Sequence, residues 1–134
     1  MSRSGYSDDC DGADLNLWRG AVNQGIRGKR GQAFLRETLA ALDAMPVKKL
    51  TTDSLHETAS GEFCTLGAVG AARGMDMGPL ELIDVSGVAK AFGIAHALAA
   101  EIMYMNDDEY DHHSPAHRWS HMRHWITSQI KETS

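Results

Sequence analysis

The sequence predicts a mainly α-helical single domain, a compact bundle of five or six helices. Apolar residues recur at steps of three and four along most of the chain, as they do on the buried stripe of an amphipathic helix. Glycine, proline and capping residues divide these stretches into lengths typical of short helices. With 134 residues, 43% of them hydrophobic, the chain can bury about two-thirds of its unfolded surface in one core.

The first two helices are predicted in the N-terminal third. Residues 1–12 form a polar arm, and residues 13–134 form the helical domain. One apolar stripe begins after Asp14 and ends between residues 25 and 28; its members are Leu15, Trp18, Val22 and Ile26. A second helix starts in the region of Gly31 and Gln32 and ends at Pro46, because proline disfavours helix in the residue before it. Its apolar face consists of Phe34, Leu35, Leu39 and Leu42.

The helical pattern weakens between residues 47 and 63, where a short β-hairpin or an irregular crossover is expected. The small, apolar run from Phe63 to Ala72 predicts a short buried helix that ends at Gly74. Within this helix Gly67 and Gly70 lack a Cβ, so each would allow a neighbouring backbone to approach closely.

Three further helices are predicted in the C-terminal half. Asp84 or Ser86 caps the first of them, which ends at Gly93, and the second extends from about residue 95 to Met105. Ser114 as N-cap and Pro115 at the first helical position start the last helix. Its predicted inner face consists of Trp119, Met122, Ile126 and Ile130. The expected core of the whole domain contains Trp18, Leu39, Leu66, Phe92, Ile102, Trp119 and Ile126.

Composition restricts the classes of function. The net charge of -5 argues against a protein that binds nucleic acid mainly by neutralising phosphates. Cys10 and Cys64 lie far apart without a CxxC spacing, which predicts two reduced thiols. The N-terminal segment has no apolar run, so we expect a cytoplasmic protein that makes no membrane contact. No cofactor signature is present, and no cofactor is expected.

The strongest candidate site is a basic segment. Residues 19–36 contain no Asp or Glu, and their cations are Arg19, Arg27, Lys29, Arg30 and Arg36. Cations and free backbone amides at a helix start attract anions, so this segment predicts a site for phosphate or for an acidic protein partner. It lacks the GxxxxGK[ST] pattern of a P-loop. The alternative is a solvated basic turn that offsets the acidic arm.

Five of the seven histidines lie within thirteen residues, from His112 to His124. On the last helix His117 and His121 are four residues apart, a spacing that can chelate zinc, and His113 or Asp111 could add a third ligand. A pH-sensitive contact surface is a second reading. We favour a third, an exposed polar face without metal, because no HExxH motif or cysteine partner accompanies the histidines.

Two other patterns predict chemistry less strongly. The stretch from Val88 to Met105 resembles a helix-turn-helix, because Ala89 and Gly93 have the four-residue spacing that packs two helices across a tight turn. Its second helix offers almost no side chain that could read bases, so helix packing is the favoured interpretation. Cys64 could act as a nucleophile beside a histidine base, but its apolar neighbours favour a buried structural thiol.

Several stretches of the chain resemble an uncharacterised family of small proteins encoded by bacteriophages and prophages of Gram-negative bacteria, and the resemblance extends along the length of the chain. The matching stretches are Met1 to Asp9, Trp18 to Ala21, Arg27 to Phe34, Ala41 to Pro46, Cys64 with Leu66 to Ala68, Tyr104 with Asn106 and Asp107, and Arg118 and Trp119 with Met122 and Arg123. The resemblance implies a phage origin. Small accessory phage proteins often bind a host component, including defence systems, and this analogy gives the expected mode of action.

The sequence therefore predicts a non-enzymatic accessory protein that binds a host or phage macromolecule, for example as an inhibitor of a host or defence protein. A DNA-associated regulator that uses the helix-turn-helix-like unit is the alternative, and an enzyme with a Cys/His or metal site is the third reading. A host or phage protein is the expected partner, nucleic acid is less favoured, and self-association stays open.

Overall fold

The computed structural model describes residues 12–52, 54–57, 61–109 and 114–131. The polar arm, apart from its last residue, lies outside these ranges. The helices are α1 Gly12–Arg27, α2 Lys29–Ala44, α3 Thr65–Ala72, α4 Val85–Phe92, α5 His96–Tyr104 and α6 Pro115–Gln129. A 3-10 helix, Pro79–Leu82, precedes α4, and a π-helical turn, Met105–Glu109, follows α5. The predicted mainly α bundle of five or six helices is confirmed.

The predicted β-hairpin is also confirmed, in a narrower form. Strand β1, His56–Glu57, pairs antiparallel with β2, Glu62–Phe63, so that His56 is opposite Phe63. Leu50 adds an isolated parallel bridge to Phe63. The Cys64 amide donates to the carbonyl of Leu55 at 3.1 Å. These bonds fix the hairpin against the start of α3.

Helix α5 occupies the centre of the domain. Every residue from Ala97 to Met103 is buried, and α5 contacts α1, α3 and α4. Helix α2 completes the bundle by packing on α1, α3 and α6. The buried middle of α5 cannot present a polar face to a ligand, and this restricts the functional surface to the outer helices and to the helix ends.

The predicted core is correct for four of its seven residues. Leu66, Phe92, Ile102 and Ile126 are buried, whereas the larger Trp18 and Trp119, together with Leu39, are only partly buried at the edge of the same cluster. The Trp119 Nε1 donates to the carbonyl of Leu42 at 3.1 Å, and this polar tip keeps the ring at the periphery. The fully buried face of α6 is formed by Met122 and Ile126, with Arg118 beside them.

The predicted start of α2 was two residues too late. Only Gly28, which is extended, separates α1 from α2, and Gly31 and Gln32 are buried in the first turn. A Cβ on Gly31 would lie 1.8 Å from the carbonyl oxygen of Gly25. The Gln32 side chain donates to the carbonyls of Ile26 at 2.7 Å and Gln129 at 3.0 Å. Because polar groups fill this turn, hydrophobic periodicity does not reveal it.

The glycines of α3 have different roles. A Cβ on Gly67 would lie 1.8 Å from the carbonyl oxygen of Leu55, so the predicted close backbone approach is confirmed there. At Gly70 the same atom would meet the side chain of Met77, 2.7 Å from its Sδ. The prediction of a close backbone was therefore wrong for Gly70, which makes room for a side chain.

The predicted caps of the later helices are present. The Asp84 carboxylate accepts from the Gly87 amide at 2.9 Å, so Asp84 rather than Ser86 caps α4. Gly93 ends α4 with a φ of 74°, in the left-handed region that favours glycine. The Ser114 hydroxyl accepts from the His117 amide at 3.3 Å, and Pro115 follows it at the first helical position.

Candidate functional site

Three exposed cations surround the junction of α1 and α2. We call Arg27, Lys29 and Arg30 the basic turn: Arg27 is the last residue of α1, and the other two open α2. Lys131 adds a fourth cation, because its Nζ donates to the carbonyl of Arg27 at 3.0 Å. The sequence-predicted cluster thus exists at the surface, at a helix start as expected.

Two of the five predicted basic residues have structural partners instead. The Arg19 Nη1 lies 2.8 Å from the Oε2 of Glu101, a buried carboxylate of α5. The Arg36 Nη2 donates to the carbonyl of Lys131 at 2.9 Å. Removing Arg19 would leave a buried carboxylate without this partner. The main role of Arg19 is therefore to stabilise the fold rather than to bind a ligand.

The other arginines of the described segments are also engaged. Arg73 binds Glu37 through two bonds of 2.7 Å, and its hydrogen bond to Glu37 holds the pKa of that carboxyl below its usual value. Arg123 pairs with Asp43 at 2.6 Å and lowers the pKa of Asp43 in the same way. By contrast, no residue in the described part of the chain forms an ion pair with the basic turn.

The basic turn lies at the positive end of a helix dipole. The first turn of α2 has no acidic residue, and cations there are unfavourable by about 0.3 to 1 kcal/mol each. The first hydrogen bond inside α2 runs from the Gln32 amide to the Gly28 carbonyl. The amides of Lys29, Arg30 and Gly31 therefore have no acceptor within the helix. An anion at this position would offset the unfavourable positive charges and would accept hydrogen bonds from these amides.

The helix-turn-helix-like unit has the expected angle but lacks an accessible second helix. Helices α4 and α5 are bent by 109°, within the range of DNA-binding helix-turn-helices. Because α5 is buried, it cannot enter a DNA groove without unpacking the core.

No single helix in the described part of the chain has the length and hydropathy of a membrane span. Only α4 and α5 with its π-helical extension, taken together as a bent pair, reach that length and composition.

The histidines of α6 lie on its outer face. His117, His121 and His124 are exposed, and the candidates for a third ligand, His113 and Asp111, lie outside the described residues. Among the residues that the structure describes, no three His, Cys, Asp or Glu side chains are grouped so that they could hold a metal ion. The i, i+4 pair of His117 and His121 thus lacks a third ligand from the described part of the domain.

We expect this protein to bind zinc only weakly. Two exposed imidazoles on one helix, without a third ligand grouped beside them among the described residues, fall short of the three or four protein ligands of a tight zinc site. Titration with one equivalent of zinc in a calorimeter should give a dissociation constant weaker than about 1 μM, the affinity that corresponds to roughly 8 kcal/mol. A tighter constant that the double substitution His117→Ala and His121→Ala abolishes would contradict this prediction.

Cys64 is inaccessible to a substrate. Its side chain is 1% exposed, and its Sγ accepts from the Gly67 amide at 3.3 Å as the N-cap of α3. A nucleophilic thiol needs access to its substrate. The structural reading of Cys64 is therefore the better supported one.

A buried polar network around Asn106 was not predicted from the sequence. Asp107 is buried in the π-helical turn next to Asn106. The Asn106 Oδ1 accepts from the Thr65 amide at 3.0 Å and hydroxyl at 2.8 Å. Its Nδ2 donates to the Thr51 carbonyl at 2.9 Å and to Asp107 at 2.8 Å. This network joins α3 and the π-helical turn to Thr51, which precedes the β-hairpin, and Thr65, Asn106 and Asp107 are all buried.

The basic turn is therefore the best candidate for a functional surface. It is exposed, it carries charges that no described ion pair neutralises, and it lies beside free helix amides. The α6 histidines share its exposure, but no group of three metal ligands is present in the part of the chain that the structure describes. Comparisons with protein-family models, with curated proteins and with solved structures gave no match for this chain.

Proposed function

We propose that this chain is a small phage-encoded accessory protein that acts in the cytoplasm of its bacterial host by binding a host or phage protein. The basic turn would contact an acidic surface of that partner. The observation that carries the proposal is the cluster of Arg27, Lys29 and Arg30 without ion pairs in the described structure. Two parts of the proposal, the phage origin and the inhibition of a host or defence protein, are supported by the family resemblance alone.

The energetics of α2 support a binding role for these cations. Lys29 and Arg30 occupy the helix turn where a positive charge is least favourable. Residues that lower stability without compensation inside the fold are characteristic of functional sites. An acidic partner would be attracted to this turn and would stabilise it on binding.

The two alternative functions have weaker support. A DNA-associated regulator would need α5 in a groove, and α5 is the buried central helix. An enzyme with a Cys/His site would need access to Cys64, which is buried. We therefore propose a non-enzymatic binding protein.

Reversing two charges of the basic turn should abolish partner capture and stabilise the fold. In the variant Lys29→Glu/Arg30→Glu the first turn of α2 gains two carboxylates, each favourable by about 0.3 to 1 kcal/mol. Arg27 is left unchanged because it complements the negative end of α1. Affinity capture from host-cell lysate with identification by mass spectrometry measures binding, and thermal unfolding measures stability.

The matched control is Lys49→Glu/Lys90→Glu, which changes the net charge equally at exposed positions elsewhere. This control should retain the protein that the wild type captures. If the basic-turn variant folds and still captures that protein equally at about 150 mM salt, where exposed charges are screened beyond roughly 8 Å, the proposal fails.

A further inference from the structure

A cleft of about 570 Å³ opens between α1 and the starts of α2 and α5. Its charged or aromatic lining residues are Trp18, Arg30 and His96, and the others are glycines, alanines and Gln24. Among the residues that the structure describes, none of those lining the cleft is a carboxylate, although acidic residues outnumber basic ones in the chain by 18 to 13. The composition of the cleft is thus suited to a negatively charged ligand.

Backbone amides from two helices meet at this cleft. Residues 28, 30 and 31 line it from α2, and residues 95, 96 and 97 line it from α5. The first hydrogen bonds inside these helices start at the amides of Gln32 and Ala99, so the preceding amides have no acceptor within their helices. Gly28 and Ala95, the two N-cap residues, make no side-chain cap bond. Neither positive helix end is therefore capped by its own N-cap side chain, and each favours an anion.

The side chains of the cleft add donors and an aromatic wall. Arg30 has no partner among the described residues, and its guanidinium offers five donors in a planar fork. The His96 Nδ1 lies 2.6 Å from the Ser86 hydroxyl. In the tautomer in which this hydroxyl donates to Nδ1, Nε2 carries the proton and can donate to an anion. The Trp18 ring meets His96 edge to face, with centroids 5.8 Å apart.

We propose that this cleft binds the phosphate group of a small phosphorylated molecule. A phosphate monoester carries about 1.5 to 2 negative charges and three strong acceptor oxygens, which match a guanidinium, an imidazole and two helix starts. A carboxylate has fewer acceptor sites and half the charge, and would leave several of these donors unused. The cleft shares Arg30 with the basic turn, but this proposal does not depend on the captured protein of the proposed function.

The test is a titration of the full-length ¹⁵N-labelled protein with inorganic phosphate at constant ionic strength, followed by amide chemical shifts. We expect saturable shifts at residues 29–31 and at residues 96–98 together, with a dissociation constant of about 1 mM or tighter. Acetate at the same concentrations should bind at least about tenfold more weakly, because it carries less negative charge and fewer acceptor oxygens than phosphate. Shifts confined to one of the two helix starts, or equal binding of acetate, would overturn the proposal.

Two variants separate the cleft from the general charge of the basic turn. Arg30→Gln removes the cation that lines the cleft and should weaken phosphate binding by about tenfold or more. Arg27→Gln removes a neighbouring cation that does not line the cleft, and should change the constant by no more than about twofold. If the two variants lose phosphate affinity equally, the binding is nonspecific charge attraction, and the proposed site is refuted. Because this readout requires no protein partner, its failure is distinguishable from failure of the proposed function.

Discussion

Replacement of Asn106 by alanine is expected to lower the free energy of unfolding by about 3 to 4 kcal/mol. The side chain is 1% exposed and satisfies the amide and hydroxyl of Thr65 and the carbonyl of Thr51. Alanine supplies none of these partners. Each buried polar group left unsatisfied costs about 1 to 3 kcal/mol, and the cavity adds a smaller loss.

Chemical denaturation measures this loss, with Asn23→Ala as the matched control. Asn23 is exposed on α1, so its replacement by a better helix former should leave stability unchanged or raise it slightly. A loss below about 1 kcal/mol in Asn106→Ala, within the ordinary range of surface substitutions, would show that water or a local shift replaces the network.

The position of this network explains the size of the expected effect. Thr65 opens α3, and Thr51 belongs to the segment that pairs with β2, since its amide donates to the Phe63 carbonyl at 2.9 Å. The neighbouring Leu50 amide donates to the Pro115 carbonyl at 3.0 Å, and the Leu50 carbonyl accepts from Arg118 at 3.2 Å. The same segment thus connects α3, the π-helical turn and α6, and one lost side chain weakens several contacts.

Local signals predicted the elements that depend on local chemistry. Ser114 and Pro115 identified the start of α6, because a hydroxyl cap and a proline at the first position act within one helical turn. Gly93 identified the end of α4 for an equally local reason. The start of α2 was missed because Gln32 is buried by hydrogen bonds to residues as distant as Gln129. Hydrophobic periodicity contains no information about such a pairing.

The sequence predicted where the candidate site lies, but it did not predict which of the basic residues belong to it. The acid-free segment identified the basic turn, since clustered like charges favour the surface. The engagement of Arg19 and Arg36 could not be inferred, because their partners lie 82 and 95 residues away in the sequence. The cleft could not be predicted from the sequence either, because only the fold brings His96 and Arg30 to the same cleft.

A Gly67→Ala substitution should destabilise the domain by about 3 kcal/mol, because it forces two backbone segments apart. The added Cβ would lie 1.8 Å from the Leu55 carbonyl oxygen and 2.8 Å from its carbon. That oxygen also accepts from the Cys64 amide, so it cannot move without disturbing the start of α3. Backbone atoms, unlike the end of a flexible side chain, have no alternative rotamer to adopt.

Gly20→Ala provides the matched control for this substitution. Gly20 lies inside α1, and a Cβ there would meet no atom of the described residues within 4 Å. The same chemical change should therefore stabilise the protein by about 0.5 to 1 kcal/mol, since alanine favours helix over glycine. Thermal and denaturant unfolding of the two variants should shift in opposite directions. If Gly67→Ala is as stable as the wild type, the close approach of Leu55 to α3 is wrong, and with it the packing of the hairpin segment on that helix.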